Sequence, residues 1–308
     1  MSRALALLVV VSSLPVSLQA QTIDDGIMLT KHAVFAGGIY SHERWDEYWE
    51  GPLKRVNGNI GTITTQTNNW FGNYGLTDRL NVMATVPRVW TDPSQGVLRG
   101  QSGFQDMTVA GKYSFIEKGS PRLGVVRAIA VGTAAFPLTD YTPDFYPLSL
   151  GSASRRFSGR LTANAQKNPG WYINGSAAYT WRGDITLDRP YYYTDGQLFF
   201  TDQVDMPNVF DYVASGGYLR GGLMATVSFS QQRTLGGGDI RRQDMPFVSN
   251  RMNFSKVGGM VKAPVPKLRG IAGQFGYAYT LDGRNVGQAT TFMGGLLYSF
   301  PSHRRAVQ

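Results

Sequence analysis

The sequence predicts an all-β fold: a transmembrane antiparallel up-and-down β-barrel of about 12 strands, with short periplasmic turns and long extracellular loops. Three observations lead to this prediction. Apolar residues alternate with polar or small ones along segments of about 10 to 14 residues, short connections alternate with long ones, and aromatic residues gather at the segment ends. Helical spacing of apolar residues is almost absent. This combination is typical of outer-membrane barrels.

Composition excludes several other classes of protein. The 308 residues include no cysteine, which rules out a disulfide-rich mini-protein and a cysteine-ligated zinc or iron–sulfur protein. The 16 Tyr, 16 Phe and 6 Trp argue against intrinsic disorder. The net charge of +9 is spread along the chain without a dense basic run, so we expect no nucleic-acid partner.

The N-terminal residues have the pattern of a secretory signal peptide. Arg3 supplies the positive end, an apolar run ends at Ser12, and Ala20 closes a cleavage site that is imperfect because Leu18 is large. The apolar run is too short to span a bilayer as an anchor. We therefore expect four parts: a signal peptide over 1–20, a short N-terminal periplasmic segment over 21–32, the barrel over 33–300 and a C-terminal periplasmic tail over 301–308.

The two-residue period of a strand is clearest over residues 157–166. One face there carries Phe157, Gly159, Leu161, Ala163 and Ala165, and the opposite face is polar. Similar splits occur over 79–90, 107–115, 171–182, 223–232, 271–279 and 292–300. Strands one (33–48) and ten (251–263) alternate ambiguously, with Lys256 out of step, which leaves the strand count open by two.

The connections alternate in length, as in a barrel whose turns face the periplasm and whose loops face outside. Short connections are predicted at 75–78, 117–122, 168–170, 220–222 and 264–269. Long ones are predicted at 50–60, 91–105, 137–154, 183–208 and 234–250, with a tight sixth loop at 282–285. An even number of strands returns both ends of the barrel to the periplasmic side, and closure leaves no unpaired edge in lipid.

Aromatic residues are expected to form two girdles at the membrane interfaces. Near the loop ends lie Trp90, Phe136, Phe157, Trp181, Phe229, Tyr279 and Phe292. Near the turn ends lie Tyr113, Phe115, Trp171, Tyr218, Tyr298 and Phe300. A soluble β-sandwich or propeller is the alternative, but polar residues fill the second face of nearly every strand and no blade-length repeat is present.

Two stretches of sequence resemble a known family. Residues 74–80 read YGLTDRL and lead to Val86-Pro87, and residues 103–107 read GFQDM, followed by Lys112-Tyr113. These stretches resemble motifs of the outer-membrane barrels named for the MetA-pathway of phenol degradation, and the final Tyr298-Ser299-Phe300 is similar to a closing strand of such barrels. The resemblance implies a Gram-negative outer-membrane protein that transports solutes, distantly similar to fatty-acid and aromatic-hydrocarbon channels. Those channels carry an N-terminal plug, for which residues 21–31 are too short, so a hatch-type gate is not expected.

The inward face of the predicted strands is basic. Alternation directs six cations and two carboxylates into the lumen: Arg79, Lys112, Arg127, Arg156, Arg160 and Arg182 against Asp106 and Asp211. Rings of Arg and Lys attract and select anions in pores. One interpretation is therefore a path for anionic or polar aromatic solutes. The other is that these charges pair with carboxylates or lipid phosphates and simply fill the barrel.

The longest loop contains a predicted hairpin that turns at Asp195-Gly196. Its aromatic residues are the candidates for a loop gate: Tyr191, Tyr192, Tyr193, Phe199 and Phe200. They would either stack on an aromatic solute or pack against neighbouring loops, and packing is the preferred interpretation.

Signs of catalysis are scarce. No nucleotide-binding loop, metal-spaced cluster or paired-carboxylate motif is present, so no catalytic residue, metal or cofactor is expected. His42 beside Ser41 and Glu43 is the single arrangement that suggests a lipid hydrolase.

Three functional hypotheses follow. The first is a channel or transporter that passes small solutes through a basic lumen, and aromatic or anionic compounds are the candidate solutes. The alternatives are a structural or adhesive barrel with partner-binding loops and, with less support, a lipid hydrolase. The expected location is the bacterial outer membrane. The expected partners are outer-membrane lipid, lipopolysaccharide, a small-molecule solute and the barrel-assembly machinery, and the oligomeric state is undetermined.

Overall fold

The computed structural model describes residues 22–167, 169–242 and 245–300. Twelve long strands dominate it, and we number these β1 to β12 in chain order. They are β1 (Val34–Trp45), β2 (Ile63–Gly75), β3 (Leu80–Pro93), β4 (Asp106–Ser120), β5 (Gly124–Pro137), β6 (Arg156–Gln166), β7 (Gly170–Arg182), β8 (Val209–Arg220), β9 (Leu223–Thr234), β10 (Asn253–Pro264), β11 (Ile271–Arg284) and β12 (Thr290–Phe300).

Each strand pairs antiparallel with the next one along the chain, and β1 pairs with β12. The closing register runs from Val34 opposite Phe300 to Arg44 opposite Thr290. Residues Ser102–Phe104 pair with residues 88–90 of β3. They continue the line of β4 before its first residue, and the intervening Gln105 donates its N–H to the Pro87 carbonyl. The predicted up-and-down barrel of twelve strands is therefore confirmed.

The asymmetry of the connections is also as predicted. Five short turns join the strands at one end, over residues 76–79, 121–123, 167–169, 221–222 and 265–270. Six loops join them at the other end, over residues 46–62, 94–105, 138–155, 183–208, 235–252 and 285–289. Because short turns face the periplasm in outer-membrane barrels, the six loops define the extracellular end.

A β-bulge interrupts the pairing of β10 with β11. The register shifts between Ser255 and Lys256, so that Leu281 of β11 has no partner across the pair. The extra residue therefore lies on β11, and the alternation of β10 is continuous. Lys256 and the buried Lys262 share the luminal face of β10, and strand ten keeps its place in the barrel.

The two faces of the wall have opposite chemistry. On β6 the outward side chains of Phe157 and Leu161 are 60% and 63% exposed, whereas the inward Thr162 and Asn164 are buried. Most of the predicted girdle residues have exposed side chains on the outer surface: Phe136, Phe157, Trp181 and Phe292 at the extracellular ends, and Tyr113, Phe115, Trp171, Tyr218 and Phe300 at the periplasmic ends. The apolar outer face suits lipid, and the inner face is polar.

The extracellular loops fold into a small apolar core of their own. Three loops (138–155, 183–208 and 235–252) contribute to it. Its buried members are Ile185, Leu187, Tyr192, Val204, Met206, Phe247 and Val248, with Tyr146 and Phe199 packed against them. The Asp239 carboxylate bonds to the Arg284 guanidinium at 2.7 and 2.5 Å and anchors loop 235–252 to the end of β11. The loops therefore form an ordered cap over the extracellular end.

Within the described residues, no helix is long and apolar enough to cross a lipid bilayer. The signal peptide expected over 1–20 and the tail expected over 301–308 lie outside the described residues.

We predict that a charge on the outer wall destabilises the barrel. Leu161→Arg places a cation near the middle of β6 on the lipid side, and should lower the free energy of unfolding from lipid vesicles by about 2–4 kcal/mol. Leu198→Arg is the matched control, because Leu198 is exposed on an extracellular hairpin, and should change stability by less than about 0.5 kcal/mol. Equal effects of the two substitutions would contradict the assignment of the outer face.

Candidate functional site

The residues before β1 lie inside the barrel. We call residues 22–33 the plug segment. The N–H of His32 bonds to the Gly75 carbonyl, and the N–H of Lys31 bonds to Asp78 in the first periplasmic turn. From this periplasmic mouth the segment runs into the lumen, where Leu29 exchanges two hydrogen bonds with the Asn81 amide, at 2.9 and 3.1 Å.

The plug segment crosses the bore from wall to wall. Leu29 bonds to β3, while Ile27, two residues earlier, packs against Tyr172, Leu219 and Met224 of β7, β8 and β9. Strands β3 and β9 lie on opposite sides of a ring of twelve. The chain must therefore span the lumen between these two contacts.

A buried ion pair fixes the end of the plug segment. Lys112 of β4 has a fully buried side chain whose Nζ donates to Asp25 Oδ1 at 2.7 Å and to the Thr22 carbonyl at 2.9 Å. Asp25 also interacts electrostatically with the buried Lys262 of β10. A buried ammonium is tolerated only when it is paired and hydrogen-bonded. The plug segment supplies those partners.

Gly26 is required by the close approach of the plug segment to the wall. Its N–H bonds to Asn174 Oδ1 at 3.1 Å. A Cβ at this position would lie 2.2 Å from Cβ of Asn164. Asn164 is buried and itself donates to Asn174 Oδ1 at 2.6 Å, so it has little room to move. Glycine is the residue that fits here.

These contacts differ from the expectation of a periplasmic segment over 21–32, because residues 25, 26 and 29 contact luminal side chains of the wall. A separate plug domain is unnecessary because the luminal side chains of Asn81, Asn174, Lys112 and Lys262 reach in to meet a single extended chain.

The lumen differs between its two halves. At the level of the plug segment, Lys112, Lys262 and Asn81 are completely buried. Toward the extracellular end, the side chains of Arg156 and Lys256 retain 33% and 28% exposure. The extracellular half beneath the loop cap therefore retains partial solvent exposure, and the plug segment occupies the periplasmic half.

Most of the predicted luminal cations have a carboxylate partner. Lys112 pairs with Asp25, Arg127 with Glu117 at 2.9 Å, Arg156 with Asp106 at 2.8 Å, and Arg160 with Asp211 at 2.5 Å. Arg182 ends β7 on the luminal face, and no ion pair to it occurs among the described residues. Arg79 lies in the exposed turn 76–79, before β3 begins, so its predicted luminal position is wrong.

Sequence reasoning missed several luminal charges. Asp25 and Glu117 were not expected in the lumen, nor was Glu43, which accepts from the Thr291 hydroxyl at 2.9 Å and lies 3.6 Å from Lys256. Lys262 was also missed. Lys256 and Lys262 are six residues apart on β10, so alternation places them on one face, but no sequence signal places Asp25, which lies outside every strand.

The predicted loop hairpin is present, with Tyr192–Thr194 paired to Gln197–Phe199 and positive φ at both Asp195 and Gly196. Its aromatic residues divide into two groups. Tyr192 stacks between Phe199 and Phe247, with ring centroids 5.0 Å from each. Tyr191, Tyr193 and Phe200 are exposed. The first group thus packs within the loop cap, as the preferred interpretation has it.

The residues that suggested a hydrolase do not converge. Successive residues of a strand point to opposite faces. Glu43 faces the lumen, where it contacts Lys256 and Thr291, so His42 faces the outer surface. In the described part of the chain, no group of three or more His, Asp or Glu side chains is placed to hold a metal ion.

Comparison with known proteins agrees with this geometry. Residues 60–293 match the family model described as "Putative MetA-pathway of phenol degradation". No functionally curated protein matches the chain in sequence.

Among solved structures, the COG4313 outer membrane channel from Pseudomonas putida F1 is similar, with a TM-score of 0.71 and 15% identity, over 91% of this chain and 100% of that one. The NanC porin has a TM-score of 0.49 and 8% identity, over 85% of this chain and 99% of that one. The translocator domain of the autotransporter NalP from Neisseria meningitidis has a TM-score of 0.45 and 11% identity, over 88% and 89%. At these identities the likeness extends to the fold alone.

We predict that Gly26→Ala displaces the plug segment. The added methyl group overlaps Asn164, so the amides of Ile27 and Leu29 should exchange with deuterium about tenfold faster or more, as measured by mass spectrometry on the folded barrel. Gly58→Ala is the control, because a Cβ at Gly58 meets nothing within 4 Å. Unchanged exchange in Gly26→Ala would show that the segment is not held against the wall.

Proposed function

The chain belongs to the family described as putative MetA-pathway of phenol degradation and is a bacterial outer-membrane β-barrel, and from this premise we propose that it is a channel for small solutes gated by its own plug segment. The observation that carries the proposal is the asymmetry of the lumen. The extracellular half is partly exposed to solvent, whereas the plug segment occupies the periplasmic half.

The plug segment has the properties that a gate requires. It is covalently attached to β1 and is held by side-chain contacts: the Asn81 amide, the Asn174 amide and the Lys112 ammonium. Main-chain bonds to the wall join residues 32 and 33 to Gly75 at the hinge. Water can replace side-chain contacts at modest cost. The segment can therefore leave the bore while the barrel stays intact.

Two features support aromatic or anionic solutes. The family description names phenol degradation, which makes aromatic compounds candidate solutes. The luminal charges also favour anions. Among the described residues, the wall contributes seven luminal cations (Lys112, Arg127, Arg156, Arg160, Arg182, Lys256 and Lys262) and four luminal carboxylates (Glu43, Asp106, Glu117 and Asp211), and the plug segment adds Asp24 and Asp25. When Asp25 leaves with the plug segment, the excess of positive charge grows, and a low-dielectric wall strengthens its attraction for anions.

The remaining partners follow from location. Girdle residues such as Phe157 and Trp181 would contact the lipid and lipopolysaccharide of the outer leaflet. The closing strand β12 ends at Tyr298 and Phe300, whose rings are 4.0 Å apart, and this aromatic end is the candidate signal for the barrel-assembly machinery.

We predict that Asp25→Asn opens the channel. Breaking a buried ion pair costs about 3–5 kcal/mol in the plugged state, so the open fraction in planar bilayers should rise by about tenfold or more. Asp24→Asn is the matched control, since Asp24 bonds only to the neighbouring Thr22 among the described residues. Under a salt gradient, the reversal potential of the open state should show anion preference.

Two results would count against the proposal. Folded Asp25→Asn protein with unchanged conductance would mean that the plug segment is not the gate. A cation-selective open state would remove the basic lumen as the basis of solute choice.

A further inference from the structure

Two arginines lie side by side near the extracellular end of the lumen. Arg156 begins β6 and Arg182 ends β7, and the two are directly opposite in the strand register. Both continue the luminal alternation of their strands, which includes Asn164 and Asn174. Like charges opposite each other on neighbouring strands repel, and an anion between them removes the repulsion.

The nearby carboxylate of Asp106 pairs with Arg156, and no ion pair to Arg182 occurs among the described residues. Asp106 accepts from Arg156 Nη2 through Oδ2 at 2.8 Å and from the Tyr141 hydroxyl through Oδ1 at 2.5 Å. Its side chain is 1% exposed. Among the described residues, the Nε atoms of Arg156 and Arg182 are both buried without a hydrogen-bond partner. Two guanidinium groups therefore have unused donors at one place.

Tyr146 of the loop cap lies close to the pair. Burial raises the pKa of Tyr146, and the charges of Arg182 and Arg156 act in the opposite direction. The hydroxyl is thus a neutral hydrogen-bond donor beside the two guanidinium groups and does not balance their charge. Tyr146 is held there because it packs against the apolar core of the loops.

We propose that Arg156 and Arg182, beneath Tyr146, form a binding site for the carboxylate group of a small organic anion. A carboxylate has two oxygens, which match two planar guanidinium forks. The site lies on the extracellular side of the plug segment, so an incoming solute meets it first. The inference rests on the proposed channel function and deepens it by naming the solute class.

The test measures binding without requiring current. The probe is 4-fluorobenzoate, followed by ¹⁹F line broadening on the full-length barrel in detergent, and 4-fluorobenzamide is its neutral analogue. We expect saturable binding of the benzoate alone, weakened about tenfold by Arg182→Gln. Arg233→Gln is the control, because Arg233 is exposed on the outer face at the same end of the barrel, and it should bind as the unchanged protein does.

Heat-modifiable migration on gels verifies that each variant is folded. If Arg182→Gln does not fold, Arg182→Lys replaces it, since this variant keeps the charge but loses the planar fork and should still bind more weakly. Any of three results would overturn the site: the Arg182 variant binds 4-fluorobenzoate as tightly as the unchanged protein, the protein binds 4-fluorobenzamide as tightly as 4-fluorobenzoate, or it does not bind 4-fluorobenzoate. If the barrel binds 4-fluorobenzoate but does not conduct, the channel function is refuted and the binding site stands. If the barrel conducts but does not bind 4-fluorobenzoate, the binding site is refuted and the channel function stands.

Discussion

A sheet that crosses a lipid bilayer must close on itself, because hydrocarbon offers no partner for the N–H and C=O groups of an edge strand. The pairing of β1 with β12 meets this requirement. Closure then fixes the other features. It separates an apolar outer face from an inner face that lipid never reaches, so polar side chains such as Asn81, Lys112 and Arg160 can be kept inside.

Those inward groups must themselves be satisfied, by water, by each other or by another segment of the chain. In the extracellular half, ion pairs such as Arg160 with Asp211 and the surrounding water do this. In the periplasmic half, the plug segment does it, and Asp25 is the partner of the buried Lys112. The plug segment and the hydrated pore are therefore two alternative ways to satisfy the same side chains. This equivalence makes a reversible gate physically reasonable.

The fold could be predicted from the sequence because the two-residue period and the loop lengths are local signals. Strand ten is ambiguous in the sequence because the apolar Phe254 and Met260 share its luminal face with Lys256 and Lys262, which weakens the contrast between the two faces. The plug segment escaped prediction for a different reason. It has no period, and its partners are tertiary: Asp25 and Lys112 are 87 residues apart. Alternation directs Arg156 and Arg182 to the luminal face but could not show that Asp106 pairs with Arg156.

The central claim is that the plug segment must move for solute to pass. The chain has no cysteine, and the Met28 side chain of the plug segment packs against the luminal cluster that contains Met83 of β3, so the double variant Met28→Cys with Met83→Cys is designed to form one disulfide that ties the plug segment to β3. The decisive measurement is the single-channel conductance of this protein, oxidised and then reduced in the same bilayer. We expect the oxidised protein to be silent and reduction to restore discrete openings. Equal conductance in the two states, with the disulfide verified by mass spectrometry, would contradict the account.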